Sequence, residues 1–207
     1  TIVNTVPVVS EVTIDPETVF VDTSLSCDFQ AMDADQEALT STIQWKKDGE
    51  AVSTDQTLLL DPTAFSKDEE IICEVTVEDG YDGIVSAETS IIIQNSQPSL
   101  ESVQILPEEP TTQDILTCTP INPFDVNGDT VDFRYAWWID GVEQTETSST
   151  LSGLDVGQSI LCEVTPTDGD LDGEKRSASV NIINTPPTIS SVEITPSSNV
   201  QADTMVE

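Results

Sequence analysis

Short runs in which apolar and polar residues alternate recur along the whole chain. Ile71, Cys73, Val75 and Val77 share one face of such a run, while Glu74 and Thr76 take the other. Leu25, Cys27 and Phe29 share a face in an earlier run, and so do Val12 with Ile14, Ile91 with Ile93, and Val180 with Ile182. A period of two over such short lengths predicts half-buried antiparallel strands. Clusters of Gly, Pro, Asp and Asn interrupt the runs, and no stretch carries a helical period. Lys46-Lys47-Asp48-Gly49 and Ile139-Asp140-Gly141-Val142 predict two-residue hairpins, because Asp-Gly supplies the two positive-φ positions of a type I′ turn. The pattern is that of an all-β chain.

The runs also recur as a set. Asn4-Thr5-Val6-Pro7 returns as Asn95-Ser96-Gln97-Pro98 and as Asn184-Thr185-Pro186-Pro187, at offsets of 91 and then 89 residues. Val12 and Ile14 return as Val103 and Ile105, then as Val192 and Ile194. Leu25-Ser26-Cys27 matches Leu116-Thr117-Cys118, and Cys73-Glu74-Val75-Thr76 matches Cys162-Glu163-Val164-Thr165. So many matches at one offset define a tandem repeat. Residues 1–5 read as the end of a preceding repeat, 6–95 and 96–184 as two whole repeats, and 185–207 as the start of a third, incomplete one. On this alignment residues 204–207 stand just ahead of the next cysteine position. The linkers are short, and Pro7, Pro98, Pro186 and Pro187 restrict their φ angles, which favours sandwiches joined end to end with limited bending.

Composition narrows the functional classes. Six Lys and Arg stand against 39 Asp and Glu, a formal net charge of −33. A nucleic-acid partner needs clustered basic residues, and an anionic membrane surface needs the same, so both are set aside. No apolar run approaches the ~18 residues of a membrane span, so this segment is not expected to insert directly into a bilayer. The chain has no His, no Cys-x-x-Cys, no Gly-x-Ser-x-Gly and no phosphate loop, so nothing selects an enzyme. Hydrophobic residues make up 37%, which small β domains can use.

The four cysteines are placed alike in the two repeats. Cys27, Trp45 and Cys73 follow one another in the first, and Cys118, Trp137 and Cys162 in the second. This order resembles the immunoglobulin pattern of a cysteine on the second strand, a tryptophan on the third and a cysteine on the sixth. The resemblance implies tandem immunoglobulin-like antiparallel β-sandwiches, with Cys27 paired to Cys73 and Cys118 to Cys162. Each bridge would close a loop of about 45 residues, worth roughly 4 kcal/mol on the loop-entropy account. A metal or redox role is the alternative, against which stand the missing His and the missing short Cys spacing. Disulfides imply an extracellular or cell-surface location. Asp125-Val126-Asn127-Gly128-Asp129, Cys162-Glu163-Val164-Thr165-Pro166-Thr167-Asp168-Gly169 and Asn184-Thr185-Pro186-Pro187 are also similar to the immunoglobulin-like repeats of large bacterial and archaeal surface proteins, and distantly to polycystin-type repeats. That resemblance implies stalks, adhesins or sheath components.

Acids gather in two loops per repeat. The loop after the second strand holds Asp33 and Asp35, and in the next repeat Asp125, Asn127 and Asp129. The loop after the sixth strand holds Asp79 and Asp82, then Asp168, Asp170 and Asp172. In an immunoglobulin-like sandwich both loops lie at the end that faces the previous domain. Two readings stand. The loops are calcium sites, since a hard cation takes six to eight oxygens from such Asp and Asn groups; or they are turns chosen for backbone geometry alone. Asp168-Gly169-Asp170-Leu171-Asp172-Gly173 matches the first half of a calcium loop, but its twelfth position is Ser179 rather than Glu.

Trp138 departs from the repeat by standing where the first repeat has Lys46, and alternation points it outward with Arg134. It is either a surface contact for a sugar or protein, or a side chain shielded by its neighbours. The expected function is an extracellular structural array, a stalk, filament or sheath component that spaces or displays other modules. The alternative is a calcium-dependent adhesin or a carbohydrate-binding module. The expected partners are neighbouring repeats, other copies in a filament, or a cell-surface ligand.

Overall fold

The computed structural model describes residues 3–193. The readings made at Ile194 and at residues 204–207 lie outside that range. Among the described residues every regular element is a strand.

In the first repeat β1 (Val8–Asp15), β2 (Ser24–Met32) and β5 (Thr57–Leu59) form one sheet in the order β1-β2-β5. Facing it are β3 (Thr40–Lys47), β4 (Glu50–Ser53), β6 (Glu70–Glu78) and β7 (Ile84–Ile92), in the order β4-β3-β6-β7. The second repeat follows the same plan. β8 (Ser99–Leu106), β9 (Leu116–Phe124) and β12 (Thr150–Leu151) make the smaller sheet. β10 (Asp132–Ile139), β11 (Val142–Glu143), β13 (Ser159–Thr167) and β14 (Arg176–Asn181) make the larger. The chain after the first strand crosses between sheets and bridges the closing segment in parallel, at Val19–Ile93 and again at Thr111–Ile183. The fold is all-β: two immunoglobulin-like antiparallel sandwiches in tandem.

Alternation explains the cores. Ile71, Cys73, Val75 and Val77 on β6 are fully buried, as are Leu25 and Cys27 on β2. Trp45 and Trp137 are both wholly buried, and each indole N–H donates to a backbone carbonyl, of Asp55 at 3.0 Å and of Ser148 at 2.9 Å. A buried indole needs such an acceptor. The bridges Cys27–Cys73 and Cys118–Cys162 join the two sheets of each sandwich, with Cα–Cα distances of 6.4 and 6.5 Å. Asp48-Gly49 and Asp140-Gly141 close their hairpins with positive φ at both positions, as a type I′ turn requires.

Strict alternation fails at one place in each repeat. Val9 and Val12 both pack on the first core although they stand an odd three positions apart, and the register of β1 against β2 shifts between Ser10 and Thr13. Glu11, at φ 52°, absorbs the extra residue. A bulge of this kind turns the strand over, so its two halves bury opposite parities of the sequence. Leu100 and Val103 show the same change of parity on β8, but there the register against β9 is unchanged and Glu101 and Asn122 both drop out of the pairing.

Candidate functional site

Each sandwich presents its acidic loops to the linker that precedes it. In the first repeat the β2–β3 loop is closed by Asp33, whose Oδ1 accepts the amide of Asp35 at 2.7 Å. The β6–β7 loop is closed by Asp79, whose Oδ1 accepts the amides of Tyr81 at 2.7 Å and Gly83 at 3.0 Å. Their neighbours then hold the linker. Asn4 Nδ2 donates to Asp79 Oδ2 at 2.9 Å, and the Thr5 amide donates to Asp35 Oδ2 at 2.7 Å.

The second repeat reproduces this grip. Asn95 Nδ2 donates to Asp168 Oδ2 at 2.9 Å, and the Ser96 amide donates to Asn127 Oδ1 at 2.8 Å. Asp168 Oδ1 in turn accepts the amides of Asp170 and Leu171, and Asp125 Oδ1 those of Asn127 and Asp129. Both loops therefore converge on the dipeptide Asn95-Ser96. Pro7 and Pro98, the last residues of the two recurring linker motifs, are buried. Gly173 lets the loop close on the linker, for a Cβ there would lie 1.8 Å from the carbonyl oxygen of Pro98.

The two sandwiches touch through this same end. Val126, in the β9–β10 loop, packs against the core of the first sandwich. Lys67 reaches from the first sandwich to Asp129 Oδ2 at 2.9 Å and to Asp170 Oδ2 at 3.4 Å. A shallow cleft beside the linker is lined by Thr18, Phe20, Gln94, Gln97 and Leu171.

The electrostatics divide these acids into two kinds. Hydrogen bonds hold Asp79 below the usual carboxylate range, the Asn4 amide first and then the amides of Tyr81 and Gly83. Asp168 is held low in the same way, chiefly by the Leu171 and Asp170 amides, with Asn95 and Lys67 adding to it. Lys67 is held up, first by its bond to Asp129. Glu37 moves the other way. Burial raises its pKa first, and the nearby carboxylates of Asp33, Asp35 and Asp79 add to the rise. Asp33, Asp35 and Glu37 bring one carboxylate oxygen each within 4.8 Å of one another. Asp33 Oδ2 and Glu37 Oε2 are enclosed without a donor, and so are Asp125 Oδ2 and Asn95 Oδ1 in the second repeat.

The scan against family models finds no match, and the search of curated proteins finds none either. Among solved structures the chain is similar to a segment of two fibronectin type III domains from chicken tenascin. That likeness has 12% identity and a TM-score of 0.45, and covers 84% of this chain and 98% of that one. It is similar also to immunoglobulin domains 1–5 of Sidekick-1, at 12% identity and a TM-score of 0.44, over 92% of this chain and 42% of that one. Three N-terminal domains of the outer capsid protein Hoc of bacteriophage RB49 align at 14% identity and a TM-score of 0.34, over 87% and 71%. The functional reading rests on the chain's own geometry.

The acids named from the sequence thus part company. Asp33, Asp35, Asp79, Asp125, Asn127, Asp129 and Asp168 gather at the sandwich ends facing the linkers. Asp82 is exposed at φ 67° in its turn. Asp170 is exposed and faces Lys67, while Asp172 pairs with Arg134 across the sheet edge. Sequence reasoning missed Glu37, Asn4, Asn95 and Lys67. The recurrence of Asn ahead of each linker proline was the available signal for two of them. Trp138 is half-buried on the outer face of β10, opposite Leu161 in the register. The partner that Lys46 gives to Glu74 in the first repeat is supplied to Glu163 by Lys175 in the second.

Proposed function

We propose that this chain is part of an extracellular structural array, in which sandwiches over residues 6–95 and 96–184 are stacked end to end as a stiff spacer. Residues 1–5 and 185–207 belong to neighbouring repeats of the same array on this reading. The observation that carries it is the joint. The Asn95-Ser96 linker is held by both acidic loops of the following sandwich, Val126 packs on the preceding core, and Lys67 bridges the two. A linker tied at successive residues has little freedom to bend, so the spacing between repeats is transmitted along the chain. The two inter-sheet disulfides fit an oxidising compartment outside the cytosol. Interspersed acids keep such a surface soluble and self-repelling. We assign no catalytic role, since the groups gathered at the joint are engaged in holding the linker.

Small-angle X-ray scattering of the whole chain tests this. A stiff joint gives one elongated conformer whose distance distribution shows two resolved domains. Substitution Asn95→Ala combined with Lys67→Glu broadens that distribution. A wild-type curve that already requires a broad ensemble of orientations would sink the spacer reading.

A further inference from the structure

The third strand of each sandwich is covered along one side for only part of its length. β3 is matched to β6 from Thr40 to Lys47, but on its other side β4 covers only Trp45, Lys46 and Lys47. Residues 40–44 therefore form an open strand edge, and among the described residues no further backbone group is bonded to it. A cleft of about 510 Å³ runs beside it, lined by the edge itself and by Thr54 and Gln56. A row of unpaired N–H and C=O groups is a template for another strand, and proteins commonly blunt it with charge, proline or a covering segment. Residues 40–44 read Thr-Ser-Thr-Ile-Gln, without charge or proline, in a chain that carries 39 Asp and Glu. Thr40, Ser41 and Thr42 are exposed. β10 has the same open edge at residues 132–136, since β11 pairs only with Trp138 and Ile139, but there Asp132 and Arg134 stand on it.

We propose that the open edge of β3 is a self-association surface, at which two copies of this chain pair antiparallel about Thr42. In that register Thr42 lies opposite its own copy, Thr40 opposite Gln44, and Ser41 opposite Ile43. Pairing stops at Trp45 in both copies, because Trp45 is already paired with Ser53 on β4, so the overlap is fixed at both ends. The larger sheets of the two copies become continuous through main-chain hydrogen bonds, as in other strand additions. On the outer face Thr42 is in register with Thr76, and Thr76 with Ser86, whose hydroxyls share a hydrogen bond at 2.8 Å. The centre of the joined sheet is thus a row of hydroxyls, and cross-strand Thr pairs are favourable. The same register brings Glu78, beside Thr40, into line with Glu74, beside Gln44 of the other copy. Three strand spacings, about 14 Å, separate those carboxylates, which exceeds the screening length of about 8 Å at physiological ionic strength. Glu74 is moreover held by Lys46 at 2.8 Å. The equivalent pairing on β10 would set Arg134 against Arg134, and like charges directly opposite are destabilising. Only the first repeat therefore pairs. This goes beyond the reading of the joint: the joint gives the array its length, and the β3 edge gives it a lateral contact.

Sedimentation equilibrium of the whole chain, over a range of protein and sodium chloride concentrations, is the test. The contact is small, so the association is weak. We expect the weight-average mass to rise with protein concentration toward that of two chains. The dissociation constant should fall roughly tenfold between about 0.05 and 1 M salt, because a net charge of −33 on each copy opposes contact until it is screened. Thr42→Lys and Thr42→Glu each set like charges opposite one another at an exposed position, and each variant is expected to stay monomeric with its near-UV circular dichroism unchanged. An equal mixture of the two variants is expected to pair again. A wild-type chain that stays monomeric at millimolar concentration in high salt overturns the proposal, and the edge then takes a different chain or none. Undiminished association by Thr42→Lys overturns it too, as does a mixture that stays monomeric. Scattering from the monomeric Thr42→Lys variant reports the stiffness of the joint by itself, so either reading can fall without the other.

Discussion

Gly83 and Gly173 show how closely single residues are fitted at the sandwich ends. A Cβ on Gly83 would meet Asp79 Oδ2 at 1.9 Å, and one on Gly173 would meet backbone. Backbone cannot swing aside as a side chain can, so Gly173→Ala is expected to cost about 1–3 kcal/mol as an overpacked contact. Thermal denaturation should show the loss. The adjacent tryptophans make a second contrast. Trp137→Ala empties a wholly buried site and should cost about 3–5 kcal/mol, whereas Trp138→Lys, on the outer face, should cost less than about 1.5 kcal/mol. Urea unfolding of the two variants compares them directly. Glu37 behaves unlike its neighbours. Its pKa is raised in the fold, so the folded state holds its proton more tightly and loses stability as pH rises past the ordinary Glu value. Glu37→Gln is therefore expected to raise the melting temperature at neutral pH. A fall instead would show that its charge is stabilising.

At the scale of the element, strands and hairpins follow from alternation and turn chemistry. β6 and β13 read correctly from the sequence because every second residue meets the core. β1 and β8 read only in half, because the core passes from one parity to the other, at a bulge between Val9 and Val12 and with the register kept between Leu100 and Val103. No residue type announces that step: Glu11 carries the positive φ in the first repeat, and Asn122 of the partner strand carries one in the second. The disulfides clamp β2 to β6 and β9 to β13, with sequence separations of 46 and 44 residues. Removing one by a double Cys→Ala change is expected to cost about 2–5 kcal/mol. The loops have their own pH signature. Asp79 and Asp168 have folded pKa values below the unfolded one, so their contribution is complete above the ordinary Asp value, near pH ~4. It is lost as pH falls through their lowered values. Melting temperature followed from pH 6 down to pH 2 should drop most steeply below about pH 4, and less steeply in Asn4→Ala with Asn95→Ala.

For the whole molecule the joint matters more than either core. Lys67 places a positive charge among acids of the next sandwich, half-buried at 24% side-chain exposure. Such a pair contributes little when simply removed, but Lys67→Glu adds a like charge beside Asp129 and Asp170. That variant should leave each core intact by near-UV circular dichroism while widening the distribution of interdomain angles in scattering. Raising salt should narrow the difference, since exposed charges are screened over about 8 Å at physiological ionic strength.

Alternation and turn dipeptides were enough to specify all-β sandwiches, because strand burial and hairpin closure are local and periodic, and the resemblance carried by the recurring Cys, Trp and Cys implied their bridges. The acids of the two loops were also legible as groups, and so was the end of the sandwich to which they belong. What the sequence left open was which of them face inward. Asp125 and Asp82 are alike as letters, yet one is enclosed by its loop with an unpartnered oxygen and the other is exposed in a turn. Only the tertiary structure brought Asn95 and Lys67 to those acids. Contacts of this kind join residues from separate strands and from separate sandwiches, at distances along the chain that no period spans.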